Sequence, residues 1–259
     1  MIAHSLVLLG DSTAVGLGDP VPGGRWRGVG PLLADALDCS LTNLSFTGAR
    51  IACLRETQLP QALQARPDVA VIIAGMNDTL RSDFSPARIQ DDLGIVVESL
   101  QRAGSVVLLV RFHDHGKVFR LPASLRRALR ARIDRLNAVI DAVAVEHGVG
   151  CLDLGRMPGC YEVSSWSVDR LHPSELGHRR LAAGLAGLLA ERGCAVPNPV
   201  SLRCSGGLQP GAAAHVAWLL FKGIPWLWRR GRDLVPYAAA IMLRSWLTAE
   251  QPTPVLENR

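Results

Sequence analysis

Residues 5–16, SLVLLGDSTAVG, constrain this chain more than any other stretch. An apolar run of strand length stops abruptly at Gly10-Asp11-Ser12, and small residues and a second glycine follow. A run that is apolar at every position reads as a strand buried on both faces of a parallel sheet. Gly-Asp-Ser then reads as the tight turn at its carboxyl end, the edge at which open α/β sheets place their sites. The Ser12 hydroxyl can face a ligand there. The same tripeptide also serves as an ordinary polar turn, so its meaning depends on what the remaining strands deliver to the same edge.

The pattern continues. Residues 26–37 carry a helix-like spacing, with Leu32, Leu33 and Leu37 near one face. Residues 39–44 read as a second strand, which ends at a turn carrying Gly48. Residues 69–74 form a third apolar run ending at Gly75-Met76-Asn77-Asp78. Ser85-Pro86 opens the next helix as N-cap and first-turn proline, with Ile89, Leu93, Val96 and Leu100 as its core stripe. Residues 106–110 are the fourth strand. Leu125, Leu129, Ile133, Leu136, Ile140 and Val143 mark a long amphipathic helix, whose Arg126, Arg127, Arg130 and Arg135 are expected on the solvated face. Residues 150–153 make a fifth strand, and a final helix begins near Ser174. Strands alternating with helices imply a parallel five-stranded sheet covered on both faces, an α/β architecture.

With 48% hydrophobic and 20% charged residues in 259, the chain can bury a sizeable core and is not of disordered composition. A formal net charge of +5 is too small to imply a dedicated nucleic-acid binder. The apolar N-terminus lacks a basic leader and runs straight into the Gly-Asp-Ser turn, so a cytoplasmic protein is expected. The six cysteines show no metal-type spacing and read as mostly buried thiols, with a Cys194–Cys204 bridge left open. His113-Asp114-His115, directly after the fourth strand, reads as a substrate-facing loop and a weak metal site. Asp11 and Asp78 read as helix caps or turn acceptors. No metal or cofactor is implied.

Four segments belong together: Gly10-Asp11-Ser12, Gly48, Gly75-Met76-Asn77-Asp78 and Asp169-Arg170-Leu171-His172-Pro173. A serine hydroxyl is a poor nucleophile until a base takes its proton. His172 fits that role, and Asp169, three residues earlier, can orient the imidazole and stabilise its charged form. Attack on an ester carbonyl needs donors for the developing oxyanion. The candidates are the backbone N–H groups of Ser12 and Gly48 and the side-chain amide of Asn77.

In this order the segments resemble the blocks of the SGNH (GDSL-type) hydrolases, over roughly residues 5–192. The resemblance implies a flavodoxin-like three-layer α/β/α sandwich. It implies Ser12 as nucleophile, Asp169 and His172 as its partners, and Gly48 and Asn77 as oxyanion donors. Thr13 and Ala14 stand where the leucine that named the family would be. The expected function is a serine hydrolase cleaving carboxylic esters, small or lipid-like, in the manner of an esterase or lipase. An acyltransferase or carbohydrate deacetylase on the same site, or a non-catalytic membrane- or partner-binding protein retaining the fold, remains open at this point.

Composition shifts after the hydrolase-like domain (1–192). Residues 193–212 read as a linker, and 213–259 as a short helical C-terminal extension. Trp218, Trp226, Trp228 and Trp246 interleave there with Lys222, Arg229, Arg230, Arg232 and Arg244. Pro225, Arg229 and Pro236 interrupt the apolar runs short of the roughly 20 residues a membrane span needs. The extension therefore suits packing on the domain, a lid, peripheral membrane contact through residues 213–246, or a partner-protein surface.

Overall fold

A computed structural model describes residues 1–118 and 121–205, together with Ala239. The extension 213–259, and with it membrane contact, otherwise lies outside the described residues. Among the described residues no helix is long and apolar enough to cross a membrane.

The elements run β1 (Ser5–Gly10), α1 (Ser12–Val15), β2 (Pro20–Val21), β3 (Arg25–Trp26), α2 (Val29–Leu37) and β4 (Ser40–Asn43). Next come α3 (Ile51–Cys53), a π-helical turn (Leu54–Gln58), α4 (Leu59–Ala65), β5 (Val69–Ile73), α5 (Met76–Thr79) and α6 (Pro86–Arg102). The chain continues through β6 (Val106–Arg111), α7 (Ala123–Glu146), β7 (Gly150–Asp153) and α8 (Glu175–Glu191). The main sheet is five-stranded in the order β4-β1-β5-β6-β7, and every pairing in it is parallel. α2 and α8 pack together on one face of the sheet, and α4, α6 and α7 cover the other. This is the flavodoxin-like three-layer sandwich, with the order of strands reversing between β1 and β5. The continuous apolar runs have their cause in that topology: every residue of β5 is buried, because helices cover both its faces.

Gly28, at φ 68°, stops the helix expected from residue 26. A side chain there would lie 2.2 Å from the Gly16 Cα, so the backbone must turn at this close approach. Arg25 and Trp26 instead pair with β2 in a small antiparallel ribbon. Arg27 follows and pairs with the fully buried Asp19 through Nε–Oδ2 at 2.8 Å and Nη2–Oδ1 at 3.0 Å. Its Nη2 also reaches Glu175 at 2.8 Å, in the first turn of α8. The loop after the first turn is thus fastened to the helix that follows Asp169 and His172. The four arginines expected on the solvated face of α7 are exposed.

The first part of the expected linker lies against the domain. Ala195 N–H donates to Met1 O at 2.8 Å, Asn198 N–H donates to Ala36 O at 3.1 Å, and Val196 and Val200 pack on the core. Further along, the Ser205 N–H and hydroxyl reach Glu175. Cys194 is buried and Cys204 exposed, and both are free thiols.

Two buried side-chain amides clamp strand ends. Gln58, presented by the π turn, accepts from Gly10 N–H at 2.8 Å and donates to Gly10 O at 2.9 Å. Asn137 of α7 accepts from Phe112 N–H at 2.9 Å and donates to Phe112 O at 2.8 Å. Replacing Gln58 by leucine leaves the Gly10 N–H buried and unpaired and its carbonyl with only the long bond from Phe46 N–H at 3.4 Å. We expect Gln58→Leu to lower unfolding free energy by about 2–4 kcal/mol. In urea titrations this appears as a lower midpoint at unchanged slope, and an unchanged midpoint would refute the clamp.

Candidate active site

Ser12 is the first residue of α1, directly beyond β1. Gly10 makes its placement possible: a Cβ there would lie 2.2 Å from Ile73 O, and its φ of 156° is one that side chains rarely adopt. The two strands therefore approach closely where the chain turns, and Asp11 N–H donates to Ile73 O at 3.1 Å. Asp11 caps the short helix, accepting from Thr13 N–H at 3.0 Å.

Asp169 and His172 arrive from the other end of the chain on one closed loop. Trp166 and Pro173 form an antiparallel bridge, and Ser167 N–H donates to His172 O at 2.8 Å. Arg170 takes the left-handed conformation between the two, at φ 57°. Asp169 Oδ1 accepts from the N–H groups of Leu171 and His172 at 2.9 and 3.0 Å, while Oδ2 meets His172 Nδ1 at 2.6 Å. The opposite ring nitrogen, Nε2, lies 2.8 Å from Ser12 Oγ. Burial pushes the Asp169 carboxyl up, but hydrogen bonds from the His172 ring and from the backbone outweigh it and hold it below the ordinary range. An ionised Asp169 keeps the proton of neutral His172 on Nδ1 and leaves the Nε2 lone pair to accept the Ser12 O–H.

Asn77 connects two of the expected donor segments. Its amide nitrogen donates to Ala49 O, beside Gly48, at 3.0 Å, and to Asp11 Oδ2, beside Ser12, at 3.3 Å. The N–H groups of Ser12 and Gly48 make no hydrogen bond among the described residues. Asp78 is buried and accepts from Arg50 Nε at 3.1 Å and Ile51 N–H at 3.2 Å, which ties the Gly48 turn to the Asn77 turn. Asp11 and Asp78 are thus backbone acceptors, as expected, but each also joins segments far apart in sequence.

An open pocket of about 560 Å³, mouth included, adjoins these residues. Thr13 and Met76 line it on the Ser12 and Asn77 side, with Leu171 and Pro173 from the Asp169–His172 loop. Leu154, Met157, Trp166 and Leu181 complete an apolar wall. His113 and His115, expected on a substrate-facing loop, are buried and line this pocket. No group of three or more His, Cys, Asp or Glu able to hold a metal ion gathers among the described residues.

A family model for GDSL-like lipases and acylhydrolases matches residues 8–180. The chain belongs to that family. Membership makes it an ester hydrolase of the SGNH/GDSL type. No curated protein sequence matches it. Among solved structures, the chain is similar to LAE5, an α/β hydrolase enzyme from the metagenome of Lake Arreo, Spain. Identity is 21% over 72% of this chain and 95% of that one, with a TM-score of 0.59. TesA is 24% identical over 73% of this chain and 99% of its own, at TM-score 0.57. The psychrotrophic esterase EstA from Pseudoalteromonas sp. is 18% identical over 73% and 98%, at 0.56. At these identities the likeness is one of fold.

Sequence reasoning passed over Gln58, Asn137 and Asp19 in this GDSL-family hydrolase. Only Asn137 gave a signal, as a polar residue beside the apolar stripe of α7.

Burial raises the Asp11 carboxyl from the ordinary 3.8 to about 6, against the opposing pull of the Thr13 N–H and of His172. The folded state then binds this proton more tightly than the unfolded chain does. Its stabilising contribution is complete below about pH 4 and is lost as pH rises through about 6. The full effect is about 3 kcal/mol. Asp11→Asn should remove this part of the pH dependence in denaturant titrations across that window. A variant whose stability profile runs parallel to the wild type would contradict the assignment.

Proposed function

We propose that this chain is a serine hydrolase of carboxylic esters in which Ser12 is the nucleophile, His172 the general base and acid, and Asp169 the residue that orients and stabilises His172. The reading is carried by the continuous run of hydrogen bonds from Asp169 through His172 to Ser12, at 2.6 and 2.8 Å. Ser12 Oγ attacks the ester carbonyl carbon while its proton passes to His172 Nε2. The carbonyl electron pair moves onto oxygen, where the N–H groups of Ser12 and Gly48 and the Asn77 amide receive it. For Asn77 to take part, its longer bond to Asp11 must yield to the oxyanion. The intermediate collapses, His172 hands its proton to the leaving alkoxide, and acyl-Ser12 remains. Water repeats the cycle on the acyl group, releasing the acid and restoring the Ser12 hydroxyl.

The apolar wall beside Ser12 supports an ester with one predominantly apolar arm. Ser12→Ala should lower kcat on aryl esters by about 10³-fold or more, and Asp169→Asn by about 10³–10⁴-fold, each with KM changed little. Equal turnover by Ser12→Ala would end the proposal.

The Trp- and Arg-rich segment is proposed to bring the enzyme to anionic bilayer surfaces, because interfacial tryptophans beside arginines match the headgroup layer. Deleting residues 207–259 preserves the Ser205 contacts. It should leave ester hydrolysis intact and abolish co-sedimentation with anionic vesicles. Equal sedimentation of both forms would remove membrane contact from the account.

A further inference from the structure

One buried carboxyl beside Ser12 has no part in the hydrolytic scheme. Asp11 lies between the Gly10 turn and Ser12 and is 3% exposed. Its Oδ1 accepts from Thr13 N–H at 3.0 Å and caps α1. Its Oδ2 accepts from the Asn77 amide at 3.3 Å, while Ala49 O accepts from the same nitrogen at 3.0 Å. Both hydrogen bonds of the Asn77 side chain among the described residues thus leave from its nitrogen. Burial lifts the Asp11 carboxyl to about 6; the Thr13 N–H and His172 pull against this, and Asp78 adds to it. Asp78 is itself paired with Arg50 Nε at 3.1 Å.

Capping accounts for only one of the two oxygens. A serine or an asparagine caps a helix as well as an aspartate does, and neither brings a negative charge. Above about pH 6 the Asp11 carboxylate stands beside the place where an oxyanion must form. Its charge opposes the intermediate that the donors stabilise, so its presence calls for a compensating gain. A carboxylate accepts at both oxygens. An asparagine has a single acceptor: set to cap Thr13, it would turn its own N–H toward Asn77. A serine hydroxyl has one oxygen, too close to the backbone to serve both partners. Aspartate is the residue that holds the cap and the Asn77 nitrogen at once. The second task matters because an Asn77 amide turned end for end would offer the oxyanion an oxygen instead of a donor.

We infer that Asp11 is a positioning residue that acts through Asn77: its Oδ2, together with Ala49 O, keeps the amide nitrogen turned toward the oxyanion site in the free enzyme. The inference rests on the proposed ester hydrolysis at Ser12 and adds what prepares one of its donors. As the carbonyl oxygen gains charge, it replaces Asp11 Oδ2 as the acceptor for one amide hydrogen, and Ala49 O keeps the other. The donor changes partner without a search over side-chain rotamers, which is how preorganisation is achieved at this position.

The test is a double-mutant cycle in kcat on a water-soluble aryl acetate at about pH 8, where the Asp11 carboxyl is ionised. Asn77→Ala should lower kcat about 10²-fold. Asp11→Ser retains a capping hydroxyl and should lower kcat about tenfold while Asn77 is present, with KM changed little. In the Asn77→Ala background the same substitution should cost less than about twofold or raise kcat, because the charge opposing the oxyanion leaves with it. Asp11→Ala, which has no capping oxygen, should show the same coupling, since a loss that comes from α1 enters both backgrounds equally and cancels. Equal losses from Asp11→Ser with and without Asn77 would overturn the inference and reduce Asp11 to a helix cap. So would an unchanged kcat in Asp11→Ser or in Asn77→Ala. Each of these results leaves hydrolysis at Ser12 standing. Undiminished turnover by Ser12→Ala would instead overturn the functional reading, and this inference with it.

Discussion

The contact between Ser12 Oγ and His172 Nε2 spans 2.8 Å between residues 160 apart in sequence. Its geometry tolerates little error, because a hydrogen bond to an imidazole lone pair weakens steeply with misalignment. Neither residue is placed by its own packing. Ser12 sits where β1 is forced to turn against Ile73, and His172 sits on a loop closed by the Trp166–Pro173 bridge. The fold brings those two supports to one rim of the sheet, at the point where strand order reverses.

Buried polar side chains do most of the remaining positioning. Gln58 fixes the backbone from which Ser12 emerges, and Asn137 fixes the backbone from which His113 emerges. The Asp19–Arg27–Glu175 network ties the loop after α1 to the start of α8. His178 of α8 reinforces that tie through Nε2 and the Leu17 carbonyl at 3.0 Å. Burial keeps His178 neutral, with its pKa lowered to about 4, so Nε2–H donates to that carbonyl without introducing a charge. Satisfied buried groups of this kind hold a geometry that apolar packing alone leaves free to slide.

The elements that the sequence makes legible are those whose pattern is local. The five strands, the Ser85-Pro86 helix start and the long stripe of α7 follow from apolar periodicity. Three of the four motif segments follow from their positions at strand ends, and Asp169–Pro173 from its place just before the final helix. What stayed hidden depends on distant partners. Gln58 lies in a polar stretch, RETQ, and only the π turn carries it inward to Gly10. Arg132 sits on the same helix as four exposed arginines yet is buried, with Nη1 donating to Thr79 O at 2.8 Å and Arg81 O at 2.6 Å. Its place beside Leu129, Ile133 and Leu136 was the available clue. His113-Asp114-His115 looks like exposed loop chemistry, and nothing local announces that both rings turn inward beneath Trp166.

The central claim is that Ser12, His172 and the three oxyanion donors act on one carbonyl carbon. The most direct measurement is a crystal structure of the full chain after reaction with an alkyl phosphonate ester. The account predicts phosphorus bonded to Ser12 Oγ and the phosphoryl oxygen accepting from Ser12 N–H, Gly48 N–H and the Asn77 amide. The Asn77 bond to Asp11 should be broken in that state, and the alkyl arm should lie in the pocket walled by Leu154 and Trp166. An adduct on another residue, or one on Ser12 whose phosphoryl oxygen points away from all three donors, would contradict it.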